Sequence, residues 1–192
     1  MGLSDLNSGN TNTTWSPAHT TLARDLSFAP STEFGWLPNQ KSETILDPDE
    51  LNCLALNIYF EAAVESTAGK LAVAQVTLNR VKNTRFPSTI CKVVYEGPTH
   101  NGFPKRDRCQ FSWYCDGKGD TPNESPAWRE SQRVAKYIMK HSAERALLDI
   151  TDGATHYHAN YIDPPRWAFK RQRTVSIDTH IFYNKSRTGI NF

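Results

Sequence analysis

Residues 47–82 read DPDELNCLALNIYFEAAVESTAGKLAVAQVTLNRVK, and this stretch decides the fold. It opens with a helix start. Asp47 suits an N-cap, Pro48 the first helical position, and Glu50 completes a capping-box-like arrangement. Leu51, Leu54, Ala55, Ile58 and Ala62 then fall on one face at helical spacing. A second helix is expected from about Ser66. Leu71, Ala74, Leu78 and Val81 form one stripe, and Val73 and Val76 make the other side apolar too. A helix apolar all round belongs in the middle of a domain.

Working outward, a short helix is expected over about Ser88–Glu96, ending at Gly97. Residues 97–124 are dense in Gly, Pro and Asp and read as loop. Ser125-Pro126 starts a further helix with Trp128, Ala135, Ile138 and Met139 inward. Three short runs near the C-terminus read as strands: Ala154–His158, Thr174–Ile177 and Ile181–Tyr183. On the other side, residues 1–46 are rich in Asn, Ser, Thr and Pro with no sustained period. They are expected to form a polar extension whose patch at Phe28, Phe34, Trp36 and Leu37 packs on the body. The domain proper is 47–192, of class α+β, mainly helical with a small β element.

Composition bounds the function. The chain has 192 residues, 38% of them hydrophobic, and a mean hydropathy of −0.59, which fits a soluble globular protein. No run approaches the roughly 18 apolar residues of a membrane span, so no membrane insertion is expected. Lys and Arg number 22 against 20 Asp and Glu, a balance of +2 that gives no footprint for nucleic acid. It is compatible with an anionic polymer as partner. The N-terminus has neither a basic n-region nor an apolar h-region, so no secretory signal is expected. Four cysteines, Cys53, Cys91, Cys109 and Cys115, allow three pairings. Cys109 with Cys115 and Cys53 with Cys91 is one; reduced thiols, with Cys53 as a small core residue, is the other reading. Disulfides would place the working protein in an oxidising compartment.

Glu61 is the candidate for chemistry. It follows Ile58 by three residues and Leu54 by seven, at the border of the apolar stripe. A carboxyl losing hydration there has its charged form disfavoured. Kept protonated, it can donate to a glycosidic oxygen. Pairing with an arginine is the alternative role for such a glutamate. Glu65, just before the second helix, suits an N-terminal capping or dipole role.

Three stretches carry a resemblance. CLALNIYFEAAVES…GKLAVAQVTLNRVKNTRFPSTICKVVY, then CQFSWYCDG at 109–117, then ATHYHANYIDPPRWA with HIFYN at 154–184, resemble in order the spore cortex-lytic and cell wall hydrolase family of bacteria and their phages. The resemblance covers about residues 50–184. It implies a lysozyme-like core related to lytic transglycosylases. It also implies cleavage of the MurNAc–GlcNAc bond of peptidoglycan, and a lone catalytic glutamate in a YxEA element, here Glu61. The chain departs in having Ala-Val-Glu at 63–65 where the family often has Arg-Gly-Glu, so the turn between the first two helices is expected to differ. The lack of a signal points to a phage-type lysin that reaches the wall by release, or to a virion-borne enzyme.

Further site candidates follow. Gln110, Phe111, Ser112 and Trp113 supply amide, hydroxyl and ring groups suited to sugars; core filling is the competing role for the two rings. Tyr157 is a phenol placed to position substrate near the acid, and His158 is a weaker binding candidate. Strand alternation sets His156 and His158 on one face and Tyr157 on the other, so the three are not expected to face one cleft together. Trp167, after Pro164-Pro165, is a candidate sugar platform, with packing of the loop as its equal alternative. Lys170, Arg171 and Arg173 form a basic run, read as a solvated face or a wall contact. Asp116, Asp120, Asp152 and Asp163 lie in turn-like contexts where Asp serves the backbone. With no second acid of equal support, a one-carboxyl transglycosylation giving a 1,6-anhydro end is expected, with hydrolysis by water as the alternative. No cofactor and no metal are expected, and the enzyme is expected to act as a monomer. Two rival readings remain. A zinc amidase or peptidase would draw on His156, His158 and His180 with a Cys or Asp. A non-catalytic glycan-binding or virion structural module would use the polar N-terminal extension for attachment to a particle.

Overall fold

The computed structural model describes residues 46–143 and 146–185. The patch at Phe28, Phe34, Trp36 and Leu37 therefore lies outside the described residues. Helix α1 spans Pro48–Ala62, and the Asp47 carboxylate accepts from the backbone N–H groups of Asp49 and Glu50. Helix α2 spans Thr67–Lys82, capped by the Ser66 hydroxyl, which accepts from Gly69 N–H. Helix α3 is the short Ile90–Val94, capped by Thr89. Helix α4 spans Pro126–Ala143 and starts with Trp128 N–H donating to Ser125 Oγ at 3.2 Å. Among the described residues no helix is long and apolar enough to cross a membrane.

One expectation at the start of α1 needs correcting. Glu50 does not fold back on Asp47 as in a capping box. Its carboxylate accepts from Ile90 N–H at 2.5 Å and Cys91 N–H at 3.4 Å. It therefore caps α3, whose first N–H groups have no partner within their own helix. Beside this contact Cys53 is bonded to Cys91, and Cys109 is bonded to Cys115. The first bridge staples α1 to α3 and the second closes a six-residue step in the loop.

The core is helical. Leu54, Ile58, Val93, Val94, Ala135 and Ile138 are fully buried between α1, α3 and α4. Helix α2 is buried on several sides, as its all-round apolar pattern predicts, and its Ala72 and Val76 meet Phe182 of a small sheet and Ala154 just ahead of it. That sheet has three antiparallel strands in the order β3-β5-β4, where β3 is His156–Ala159, β4 is Arg171–Ile177 and β5 is His180–Lys185. The two earlier strands, β1 (Thr99–His100) and β2 (Phe103–Pro104), make a hairpin within the 97–124 loop. A 3₁₀ turn follows at Ser112–Cys115.

The turn between α1 and α2 is tied to the sheet. Asp178, in the left-handed region at φ 48° between β4 and β5, accepts from Ser66 N–H at 2.9 Å and Ser66 Oγ at 2.6 Å. Gly69 leaves no room for a Cβ against that carboxylate. Glu65 does not cap α2. Its carboxylate instead accepts from Thr179 N–H at 3.2 Å and Thr179 Oγ1 at 2.5 Å, because Ser66 and Asp178 already serve the helix start. These bonds fix the sheet beside the end of α1, which is where Glu61 stands.

Candidate active site

Glu61 is in the last turn of α1, facing β3. The Tyr157 hydroxyl donates to its Oε2 at 2.9 Å, joining residues 96 apart in sequence. Burial pushes the Glu61 carboxyl above its ordinary range, while the Tyr157 hydrogen bond and the Arg80 charge pull in the other direction. Burial is the largest influence, so the acid form persists to higher pH than for a solvated glutamate. The Tyr157 phenol is pushed well above 10, first by burial and next by the Glu61 charge, so it remains a donor.

The acid opens onto a cleft of about 690 Å³, ample for sugar residues. Gln110, Phe111, Ser112 and Trp113 line one wall, and His158 and Trp167 line another with Tyr157. The sequence candidates thus meet around one cavity. Gln110 and Ser112 are exposed there, whereas Phe111 and Trp113 are buried and serve the core as well. The Trp113 ring stacks on Phe60 at 4.6 Å. Its indole N–H donates to Asn57 Oδ1 at 3.0 Å inside the core. The Cys109–Cys115 bridge closes the turn that carries this wall.

Of the three candidates on β3, Tyr157 and His158 line the cleft and His156 does not. His156 packs between Phe86 and Trp167, and burial with the Arg171 and Arg80 charges lowers it to about 3. His158, next to the strand end, lies flat on Tyr183 with ring centroids 5.4 Å apart. Its Nε2 is 3.0 Å from Tyr183 Oη and its Nδ1 2.9 Å from Ala159 O. Both nitrogens are thereby engaged, and the described cysteines are all in disulfides. Among the described residues no three His, Cys, Asp or Glu side chains are grouped as metal ligands. The zinc-ligand set of His156, His158 and His180 is therefore not assembled: the first two both pack on Trp167, whereas His180 lies against Tyr157.

Sequence reasoning missed several cleft residues. Arg80 lines the cleft from α2, and nothing in its spacing set it apart from Lys70 and Lys82 on the same helix. His180 lines it from β5, edge-on to Tyr157 at 5.0 Å. Asp116 does serve its turn, accepting from Lys118 N–H at 2.8 Å, yet it also lines the cleft. The Lys118 backbone and ammonium hold its carboxyl below the ordinary range. Of the basic run, Lys170 and Arg173 are exposed, and the Arg171 guanidinium lies 6.0 Å from the Trp167 ring centre.

The sequence profile described as Cell Wall Hydrolase matches residues 64–183, more than half of the chain. The chain belongs to the cell wall hydrolase family. The family match opens at Val64, so Glu61 stands just ahead of it. Among individual relatives, a spore cortex-lytic enzyme of Bacillus cereus is 28% identical over 70% of this chain and 44% of its own length. One from Halalkalibacterium halodurans is 27% identical over 71% of this chain and 35% of its own. This cell wall hydrolase therefore spans less than half the length of those relatives. Among solved structures, the catalytic domain of the germination-specific lytic transglycosylase SleB from Bacillus anthracis is 26% identical. Its TM-score is 0.55, over 77% of this chain and all of that one. The catalytic domain of the Bacillus cereus SleB protein gives a TM-score of 0.50 at 24% identity, over 77% and 95%. The fold class is thus the one expected, mainly helical α+β around a lysozyme-like core.

Proposed function

We propose that this cell wall hydrolase cuts the glycan strand of peptidoglycan between MurNAc and GlcNAc, as a lytic transglycosylase. The observation that carries the reading is Glu61 itself: a carboxyl shielded by burial, gripped by Tyr157, and open to a sugar-sized cleft. The likeness to a germination-specific lytic transglycosylase domain over that domain's full length supports the chemistry. In the reaction Glu61 protonates the bridging oxygen as the bond from the muramoyl C1 breaks. The resulting carboxylate, steadied by the Tyr157 hydroxyl, takes the proton of the muramoyl 6-hydroxyl as its oxygen closes on C1. The product is a 1,6-anhydro end, no water is consumed, and Glu61 is returned in its acid form. The exposed Gln110 and Ser112 and the aromatic faces of Phe60 and Trp167 hold the strand. Action is in the wall compartment, where two disulfides persist.

Asp116 favours a second reading. One carboxyl raised and a neighbouring one ionised is an arrangement used for hydrolysis. Against it, Asp116 is engaged by Lys118, whose Nζ lies 3.3 Å from Oδ2. Digestion of purified sacculi with mass analysis of the fragments decides between the two. Transglycosylation yields ends one water lighter than hydrolysis, and Glu61→Gln yields neither. Reducing ends that vanish in Asp116→Asn would establish the hydrolytic reading. Sacculi left intact by the wild-type protein would leave only a wall-binding module.

A further inference from the structure

Arg80 is a cation that the folded chain buries and then leaves underused. It is 4% exposed. Its Nε donates to Thr155 O at 2.8 Å, tying α2 to the start of β3. Its guanidinium carbon lies 4.8 Å from the Phe111 ring centre and 5.4 Å from that of Phe86. Two rings and one edge are thereby accounted for. The other edge is not: Nη1 is buried without a hydrogen-bond partner. No salt bridge among the described residues includes Arg80. Buried charges are ordinarily paired, and a buried donor without an acceptor costs stability unless something else uses it. Arg80 lines the same cleft as Glu61, and the charges of Glu96 and Glu61 act on it without either carboxylate bonding its Nη1.

We propose that Arg80 is a substrate-binding residue that donates to the acetamido carbonyl oxygen of the muramoyl residue whose C1–oxygen bond is cut. The inference rests on glycan cleavage at Glu61. That acid must touch the bridging oxygen on C1, and the acetamido group is on C2, the adjacent carbon. A donor fork beside Glu61 therefore meets an acyl oxygen first at that substituent. Guanidinium matches it well, being planar, weakly hydrated and permanently charged. The ring faces of Phe86 and Phe111 hold the fork in plane, so little is lost in ordering it.

The experiment crosses the protein change with a substrate change. Full-length wild type, Arg80→Met and Arg80→Lys are assayed on native sacculi, on sacculi N-deacetylated at glucosamine only, and on sacculi N-deacetylated at both sugars. With wild type, loss of the muramoyl acetyl group lowers kcat/KM, and loss at glucosamine alone changes it far less. Arg80→Met lowers kcat/KM on native sacculi by about 10- to 100-fold, the range for a hydrogen bond to a charged donor. It has little further effect once the muramoyl acetyl group is gone. Arg80→Lys falls between, keeping the charge without the fork. Equal losses on all three substrates would mean that Arg80 only braces the fold, and the proposal is then wrong. A wild-type rate indifferent to muramoyl deacetylation overturns it too, whether or not either variant folds. A wild type that cuts no sacculus at all overturns the glycan-cleavage reading instead, and takes this proposal with it.

Discussion

Asn57→Leu should destabilise the protein by about 3–5 kcal/mol, although the two side chains share a branched outline. Asn57 is fully buried on α1. It accepts from Trp113 Nε1 at 3.0 Å and donates to Thr77 Oγ1 at 3.1 Å. Losing both bonds costs about 2 kcal/mol, and stranding the buried indole N–H adds about 1–3 kcal/mol. The Thr77 hydroxyl is spared the second penalty because it still donates to Val73 O at 3.3 Å. The loss is a large part of a typical stability of about 5–15 kcal/mol. Trp113→Phe in the Asn57→Leu background removes the stranded donor, so the double variant should be more stable than the two single losses add up to. Urea titration of the four proteins, at constant m, gives the coupling energy, expected at about 1–3 kcal/mol. Additivity within about 0.5 kcal/mol would refute the reasoning, since the indole N–H would then not depend on Asn57. The same variant should lower kcat/KM, because the Trp113 ring stacked on Phe60 is a wall of the cleft.

Glu61→Gln should abolish cleavage, a loss of at least about 10²-fold, yet raise the melting temperature at neutral pH. The folded carboxyl titrates above its ordinary 4.5, so its contribution to stability is fully present below that value and is lost as pH rises through the folded pKa. Glutamine removes that loss, and each 1 kcal/mol regained lifts Tm by about 2–4 °C in scanning calorimetry. Tyr157→Phe removes a bond that lowers the Glu61 pKa, so the alkaline limb of the pH–rate profile should move up, with kcat down by about 10- to 100-fold. An unmoved limb would detach Tyr157 from the acid. Replacing Cys109 and Cys115 by serine should cost about 2 kcal/mol and raise KM, read in sacculus turnover, because the bridge closes the turn bearing Ser112 and Trp113. Replacing Cys53 and Cys91 should cost about 4 kcal/mol with a smaller change in KM, since that bridge is behind the core.

What was legible in the sequence was local. Asp47-Pro48, Ser66 and Ser125-Pro126 start their helices because each cap bonds within three residues of itself. Glu61 at the border of its stripe was readable for the same reason, since helical spacing alone sets which side it takes. The misses are all long-range. Glu50 had an ideal local use as a capping-box acid, but α3 arrives 40 residues later with bare N–H groups and a disulfide beside it. Glu65 lost its helix-start role to Asp178, 112 residues on from Ser66. Strand parity grouped His158 with His156, and both do pack on Trp167, yet His158, near the strand end and held by Tyr183, lines the cleft together with Tyr157. Arg80 has no local motif, for its acceptor among the described residues, Thr155 O, is 75 residues away.

Three elements converge on the acid, and their contributions oppose one another for a chemical reason. A carboxyl shielded by burial alone would keep its proton and serve only as an acid. One-carboxyl transglycosylation asks the same group to give a proton and then take one back, so neither form can be held too tightly. Helix α1 supplies the burial that favours the acid form. Tyr157 from β3 and Arg80 from α2 favour the carboxylate. The bonds from Ser66 to Asp178 and from Thr179 to Glu65, which tie the α1–α2 turn to the β4–β5 turn, matter to this balance, because they fix the distance of the sheet, and with it the Tyr157 hydroxyl, from the end of α1. The fold therefore acts on the chemistry through where it sets the strand against the two helices, and the cleft opens where Glu61, Tyr157 and Arg80 of those three elements meet.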